Sequence, residues 1–249
     1  MQEQQASAEA TETTSEPKLI LVFDAETTGI PEYKLPSEDP CQPHLTEIAA
    51  LLYTDRGELV EAFTALIKPD GWVIPEEVVA LNGITNELAK MAGVSEADAV
   101  TSFMNMHNLA SLRVSHNISF DDRIMRIGLK RYMGDEIADA YKAGPKECTA
   151  LLAKPLCQLP PTEAMKKTNF KNSFKTPNLA EALAHFTGDV GKDQHRALSD
   201  ATDCARVYFA LKGVRMPDYP NDLKVLTDAE EAERVPVFIG TDSEGGGHD

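Results

Sequence analysis

The chain is poor in aromatic residues, which make up 6% of 249 with a single Trp72, and it has no surplus of positive charge. Nor does it contain an apolar run near the roughly 20 residues needed to span a bilayer, so no transmembrane helix is expected. The opening MQEQQASAEATETTSEP lacks a basic start and an apolar core, and does not read as a signal peptide. Cysteine is scarce too. Cys41, Cys148, Cys157 and Cys204 form no CxxC pair and have no matching His pattern, which excludes the common zinc frameworks and predicts free buried thiols in a reducing compartment. These absences predict a soluble, cytoplasmic protein with no membrane partner.

The formal net charge of -16 would ordinarily argue against a nucleic-acid partner, so its location matters. The ends, residues 1–16 and 227–249, carry -4 and -6, which leaves -6 for residues 17–226. Acids that surround a bound cation also reverse the local field, so acidity alone does not exclude a phosphodiester substrate. With 42% hydrophobic residues the chain can bury a sizeable core, and no linker interrupts its middle. One domain is predicted over residues 18–226, between a polar, acidic tail at 1–17 read as disordered and an acidic, Gly-rich tail at 227–249.

The apolar run KLILVFDA, from Lys18, suits a central strand covered on both faces. A proline-rich loop follows, then a hairpin with strands near 45–54 and 58–67 about Arg56-Gly57. A short helix from Pro75 to Gly83, a longer one capped by Ser95, and a strand at SLRVSHN come next. Helices are predicted over Phe120–Tyr132, over NLAEALAHFTG and over HRALSDATDCARVYFALKG, the last two stopped by Gly188 and Gly213. Strands early, then helix and strand in alternation, give an α/β class with a mixed sheet.

The run ends in VFDAETTG. Positions i and i+2 of a strand share a face, so Asp24 and Glu26 emerge side by side. Two carboxylates at about 4 Å repel by about 4 kcal/mol at an effective dielectric near 20, and a cation between them relieves this. Asp121 in HNISFD and Asp200 in HRALSD stand near the starts of predicted helices, where convergence with the strand end is physically reasonable. Four oxygen donors without a thiolate point to Mg²⁺ or Mn²⁺.

Taken in order, DAETTG, HNISFD and HRALSD resemble the three signature motifs of the DEDD exonucleases of the His subclass. This DnaQ-like family includes the proofreading epsilon subunit of bacterial DNA polymerase III, phage-borne relatives and related RNases. The similarity runs from about Lys18 to Gly213 and takes in LIKPDGWVIPEEVVALNGIT, with Asn82 where the family often has His. That departure bears on contacts near the substrate 3′ end. The resemblance implies an RNase H-like fold with a central mixed five-stranded sheet flanked by helices, and metal-dependent 3′–5′ exonuclease activity yielding nucleoside 5′-monophosphates. It implies two divalent cations, Mg²⁺ or Mn²⁺, with Asp24 bridging both, Glu26 and Asp200 helping to hold the one that activates water, and Asp121 serving the other. His195 would be the general base, consistent with an imidazole that accepts a proton near neutral pH. Thr27, Thr28, Gly29 and Phe120 are the candidates for the terminal nucleotide.

The implied partner is nucleic acid with a free 3′ end, single-stranded DNA above all, with a polymerase or other replication protein as a further partner. Each motif by itself has an ordinary reading: a strand end meeting solvent, a helix entrance, a helix cap. A non-catalytic module that binds nucleic-acid ends stays open at this point, as does an oligoribonuclease-like or RNase T-like RNA exonuclease. His116 is expected to hydrogen-bond at its strand end, and Cys148 to be a buried thiol. His44, His107 and His185 show no meaningful spacing. The stretch KKTNFKNSFK, Lys166 to Lys175, reads either as a solvated loop whose aromatics pack on the core or as a flap along a phosphate backbone.

Overall fold

The computed structural model describes residues 17–190, 195–217 and 237–240. Most of the predicted tails at 1–17 and 227–249 therefore lies outside the described residues. Strand β1 (Leu19–Thr27) is followed by the hairpin of β2 (Leu45–Thr54) and β3 (Leu59–Leu66). Helices α1 (Glu76–Asn82), α2 (Asn86–Ala92) and α3 (Glu96–Leu109) lead to β4 (Leu112–Ser115), then to α4 (Ser119–Tyr132) and α5 (Asp135–Ala143). Strand β5 (Lys146–Cys148), α6 (Thr149–Cys157), the single turn α7 (Glu163–Lys166), α8 (Leu179–Thr187) and α9 (Ala197–Leu211) complete the domain.

The sheet runs β5-β4-β1-β2-β3 with parallel pairs at β5-β4-β1 and antiparallel pairs beyond, which is the mixed five-stranded sheet expected. A short sixth strand, β6 (Val237–Gly240), lies antiparallel along β3 within the C-terminal segment. Since β1 is central, its alternate residues enter different cores. Leu21, Phe23 and Ala25 meet α3, α4 and α5, whereas Ile20 and Val22 meet Ala197, Leu198, Ala201 and Tyr208 of α9. Period-two alternation then places Asp24 and Glu26 on the α9 face.

The capping predictions correspond to real helix ends. The Ser95 side chain accepts from the Asp98 N–H, and Gly83 closes α1 with φ 72°, a left-handed conformation costly for residues with a Cβ. All four cysteines are free, but the expectation that they are buried holds only for Cys148 and Cys204. Cys41 is exposed because it sits in the proline-rich loop, and Cys157 at the end of α6 is half-buried. That loop is itself ordered: Arg123, Arg126 and Arg131 of α4 reach the Leu35 carbonyl, the Ser37 hydroxyl and the Pro43 carbonyl. No helix of the described residues is long and apolar enough to cross a membrane.

Candidate active site

Asp24 and Glu26 stand where the α9 face of β1 runs out of apolar partners. Directly across from Asp24 is Ala49, whose small side chain leaves room, and across from Glu26 is a second acid, Glu47. Burial holds the Asp24 carboxyl well above the ordinary range, and the charges of Asp121, Asp200, Glu26 and Glu47 push it further in the same direction. Glu26 is raised to about 8, first by burial and then by Glu47 and Asp200. The four predicted acids thus act on one another, with Glu47 as a fifth.

Asp121 arrives from the opposite direction. Asn117 takes φ 65° between β4 and α4, a left-handed conformation that Asn tolerates better than most residues, and the turn brings the first helical residues back over the strand ends. Asp121 then accepts from the Ala25 N–H at 3.2 Å and from the Ser115 hydroxyl at 2.5 Å. Burial raises its carboxyl to about 7 even though these hydrogen bonds oppose the shift. The neighbouring Asp122 belongs to a different structure. It receives Arg113 Nε at 2.6 Å and the Lys146 ammonium, and both pull its pKa down.

The third element is the start of α9. His195 has φ 44°, a strained backbone conformation of the kind that collects at functional sites. Glu26, His195 and Asp200 each place one ligand atom within 4.8 Å of the other two. The strongest influences on Asp24 are burial and four acids, and none is a cation. Oxygen donors joined by one imidazole, with burial and other acids as the main influences on Asp24, fit hard divalent cations such as Mg²⁺ or Mn²⁺.

Around this cluster, the Thr27 hydroxyl donates to the Gly29 carbonyl at 2.7 Å, and the Thr28 hydroxyl accepts from the His44 N–H at 3.0 Å. These bonds shape the turn after the paired acids. Phe120 is half-buried and packs against the core beneath α4.

With this geometry in place, comparison with known proteins becomes specific. The RNase T family model, described as Exonuclease, matches residues 21–208. The chain belongs to this exonuclease family. Its DnaQ-like character appears in the similarity to the DNA polymerase III subunit epsilon of Aquifex aeolicus, 27% identical over 77% of this chain and 79% of the relative. The PolC-type DNA polymerase III of Thermotoga petrophila is 29% identical over 76% of this chain, which spans only 12% of that protein's length. Among solved structures, E. coli exonuclease I in complex with a dA16 oligonucleotide matches with TM-score 0.58 and 18% identity, covering 80% of this chain and 41% of the other. A further exonuclease I structure gives TM-score 0.59 at 17% identity, covering 85% of this chain and 44% of that one. These likenesses establish the RNase H-like fold.

Several parts of this candidate site were not anticipated from sequence. Glu47 is buried, accepts from Arg196 Nε at 2.8 Å and from a second guanidinium nitrogen, and also takes the Ala197 N–H at 3.0 Å. It thereby ties β2 to the first turn of α9, between His195 and Asp200. Glu47→Ala removes the bidentate partner of a buried guanidinium, so roughly 3–5 kcal/mol of unfolding free energy should be lost. Urea titration would show it, and a loss below about 1 kcal/mol would refute the clamp. The Asn82 amide favours the charged form of Glu26, although its Nδ2 lies outside hydrogen-bond geometry. Its Oδ1 accepts from the Ile84 N–H at 3.0 Å.

The histidines divide by role. His116 bonds Thr149 Oγ1 at 2.9 Å and the Pro177 carbonyl at 3.1 Å, as expected of a strand-end residue. His44, for which sequence offered no meaning, stacks on Trp72 with centroids 4.7 Å apart and bonds Glu96 at 2.7 Å. His107 packs between Phe103 and Tyr141, where burial lowers its pKa to about 4.

Proposed function

We propose that the chain is a metal-dependent 3′–5′ exonuclease that removes nucleoside 5′-monophosphates from the free 3′ end of a nucleic acid, DNA being the favoured substrate. The observation that carries this reading is the meeting of Asp24, Glu26, Asp121 and Asp200 with His195 at one strand end. The family membership and the epsilon-subunit relative support it. The same relative supports a replication protein as partner.

Asp24, Glu26, Asp121 and Asp200 would hold two divalent cations, and when bound these would supply charge neutralisation for an in-line displacement at phosphorus. His195 stands within reach of the same point and would take the proton from the attacking water. Its left-handed backbone and the Glu47–Arg196 clamp beside it restrict where the imidazole can go. Thr27, Thr28 and Gly29 line the turn that would receive the terminal nucleotide, and Phe120 would add an apolar wall. Ser115 and the Ala25 N–H hold Asp121 in place, so that its carboxylate need not reorganise during turnover.

A time course on 5′-labelled oligonucleotides tests this, using single- and double-stranded DNA and RNA with Mg²⁺, Mn²⁺ or EDTA. One-nucleotide steps from the 3′ end are expected, with DNA preferred and EDTA suppressing cleavage. Internal cuts, or steps that persist in EDTA, would refute the proposal. Faster shortening of RNA than of DNA would overturn the assignment of substrate while leaving the site intact.

A further inference from the structure

The basic stretch Lys166–Lys175 takes no part in the site above, and the structure removes one of its two readings. Its aromatics do not pack on the core: Phe170 is 63% exposed and Phe174 42%. Isolated exposed apolar residues are ordinary. Two phenylalanines interleaved with four lysines in ten residues, within a chain of net charge -16, form a distinct surface.

That surface is anchored at the site. After α6 the chain makes a closed excursion, in which the Lys175 N–H donates to the Leu159 carbonyl at 3.0 Å and the Lys175 ammonium pairs with Glu181 of α8. Two residues on, the carbonyl of buried Pro177 lies 3.1 Å from His116 Nε2. His116 directly follows Ser115, whose hydroxyl holds Asp121. The C-terminal end of the excursion is therefore held beside the strand end that positions a carboxylate of the candidate site.

Two of its four lysines stand outside the ion pairs that occupy many of the protein's other cations. Arg113 and Lys146 serve Asp122, Arg126 serves Asp139, Lys130 serves Asp135, and Arg206 and Lys212 serve Asp189 and Glu147. Within the excursion Lys166 pairs with Glu163. Lys167 and Lys171 are exposed and, among the described residues, have no carboxylate within ion-pair distance.

We propose that Lys167, Phe170 and Lys171, with Phe174 towards the His116 anchor, form a track for single-stranded nucleic acid whose 3′ end enters the candidate active site. The inference rests on the reading of that site and adds the surface that holds the strand behind its terminus. The ammonium groups meet successive phosphates and release counterions, while an exposed phenyl ring offers a stacking face to any base. A single strand is specified because only unstacked bases present their faces to such a ring. The track also answers the charge problem, since an anionic polymer approaching this acidic protein needs a local cationic path.

The test compares wild type with Lys167→Glu/Lys171→Glu and with Phe170→Ala. Binding of 5′-fluorescein dT20 is followed by anisotropy in EDTA at several salt concentrations, so that no cleavage intervenes. Hydrolysis of the p-nitrophenyl ester of thymidine 5′-monophosphate, too short to reach the track, is followed in Mg²⁺. The double variant should bind dT20 at least about tenfold more weakly, and its log–log salt slope should shrink by about 1.4, the value for two lost single-strand phosphate contacts. Phe170→Ala should weaken binding about tenfold with little change of slope. Ester hydrolysis should stay within about twofold of wild type. Unchanged dT20 affinity and slope would overturn the track, and so would an equal loss on the ester, which would signal damage to the site. If the wild type hydrolyses neither the ester nor, once Mg²⁺ is added, the labelled dT20, the reading of the site fails, and the anisotropy still decides the track.

Discussion

An Asp24→Asn variant is expected to lose at least ~10³-fold in kcat while melting no lower than the wild type at pH 8 without metal. The two halves of this result have one cause. The Asp24 carboxyl is held far above the ordinary range by burial and by four like charges. The fold without metal gains nothing from that charge, so an isosteric amide relieves repulsion at little cost in packing. Catalysis at the proposed site would, in contrast, need the charge, because a neutral amide is a poorer ligand for hard cations. His195→Ala should behave similarly, with a smaller loss of about 10²–10⁴-fold, the usual worth of a positioned general base. Steady-state kinetics on a labelled oligonucleotide, paired with thermal melts of the same samples, would show both. Retained turnover in Asp24→Asn would defeat the proposed site, and lost turnover with a collapsed melting temperature would reassign Asp24 to folding.

The second large effect concerns pH. Glu26 is raised to about 8 and Asp121 to about 7, with Asp24 higher than its ordinary value by a wide margin. A carboxyl that binds its proton more tightly in the folded than in the unfolded chain stabilises the fold below its unfolded pKa, near 4. That contribution is lost as pH rises through the folded value. Without metal, stability attributable to these groups should therefore fall between about pH 4 and 8, by several kcal/mol, and the melting temperature with it by on the order of 10 °C or more. Adding Mg²⁺ or Mn²⁺ should reverse the loss, most strongly at pH 8, where ionised carboxylates bind a cation without first releasing protons. Melts at pH 5.5 and 8.5, each with EDTA and with Mn²⁺, provide the comparison. A stabilisation by Mn²⁺ that is equal at both pH values would contradict this coupling of protons and cations.

The elements legible in sequence were those whose signals are local. β1 announced itself by unbroken apolar residues, the β2–β3 hairpin by Arg56-Gly57, and α1, α3 and α8 by Gly83, Ser95 and Gly188 at their ends. α6 was harder to see, because it carries Pro155, a residue that usually ends a helix. α2 and α5 lie between stronger signals, and β6 is four residues within an acidic segment. The basic stretch was visible as composition, yet whether Phe170 and Phe174 faced the core or solvent could not be read from it.

For the site, sequence supplied the acids and their order. The spacing of Asp24 and Glu26 determines that they share a face of a strand, because alternation is a property of the extended backbone alone. Only tertiary structure decided what that face meets. The Arg196 guanidinium that pairs with Glu47 is 149 residues away along the chain, and the Ala25 N–H that binds Asp121 is 96 away. Local spacing carries no record of such partners; they are chosen when β1, β2, α4 and α9 pack on one sheet and bring acids into a volume too poor in water to leave them charged alone.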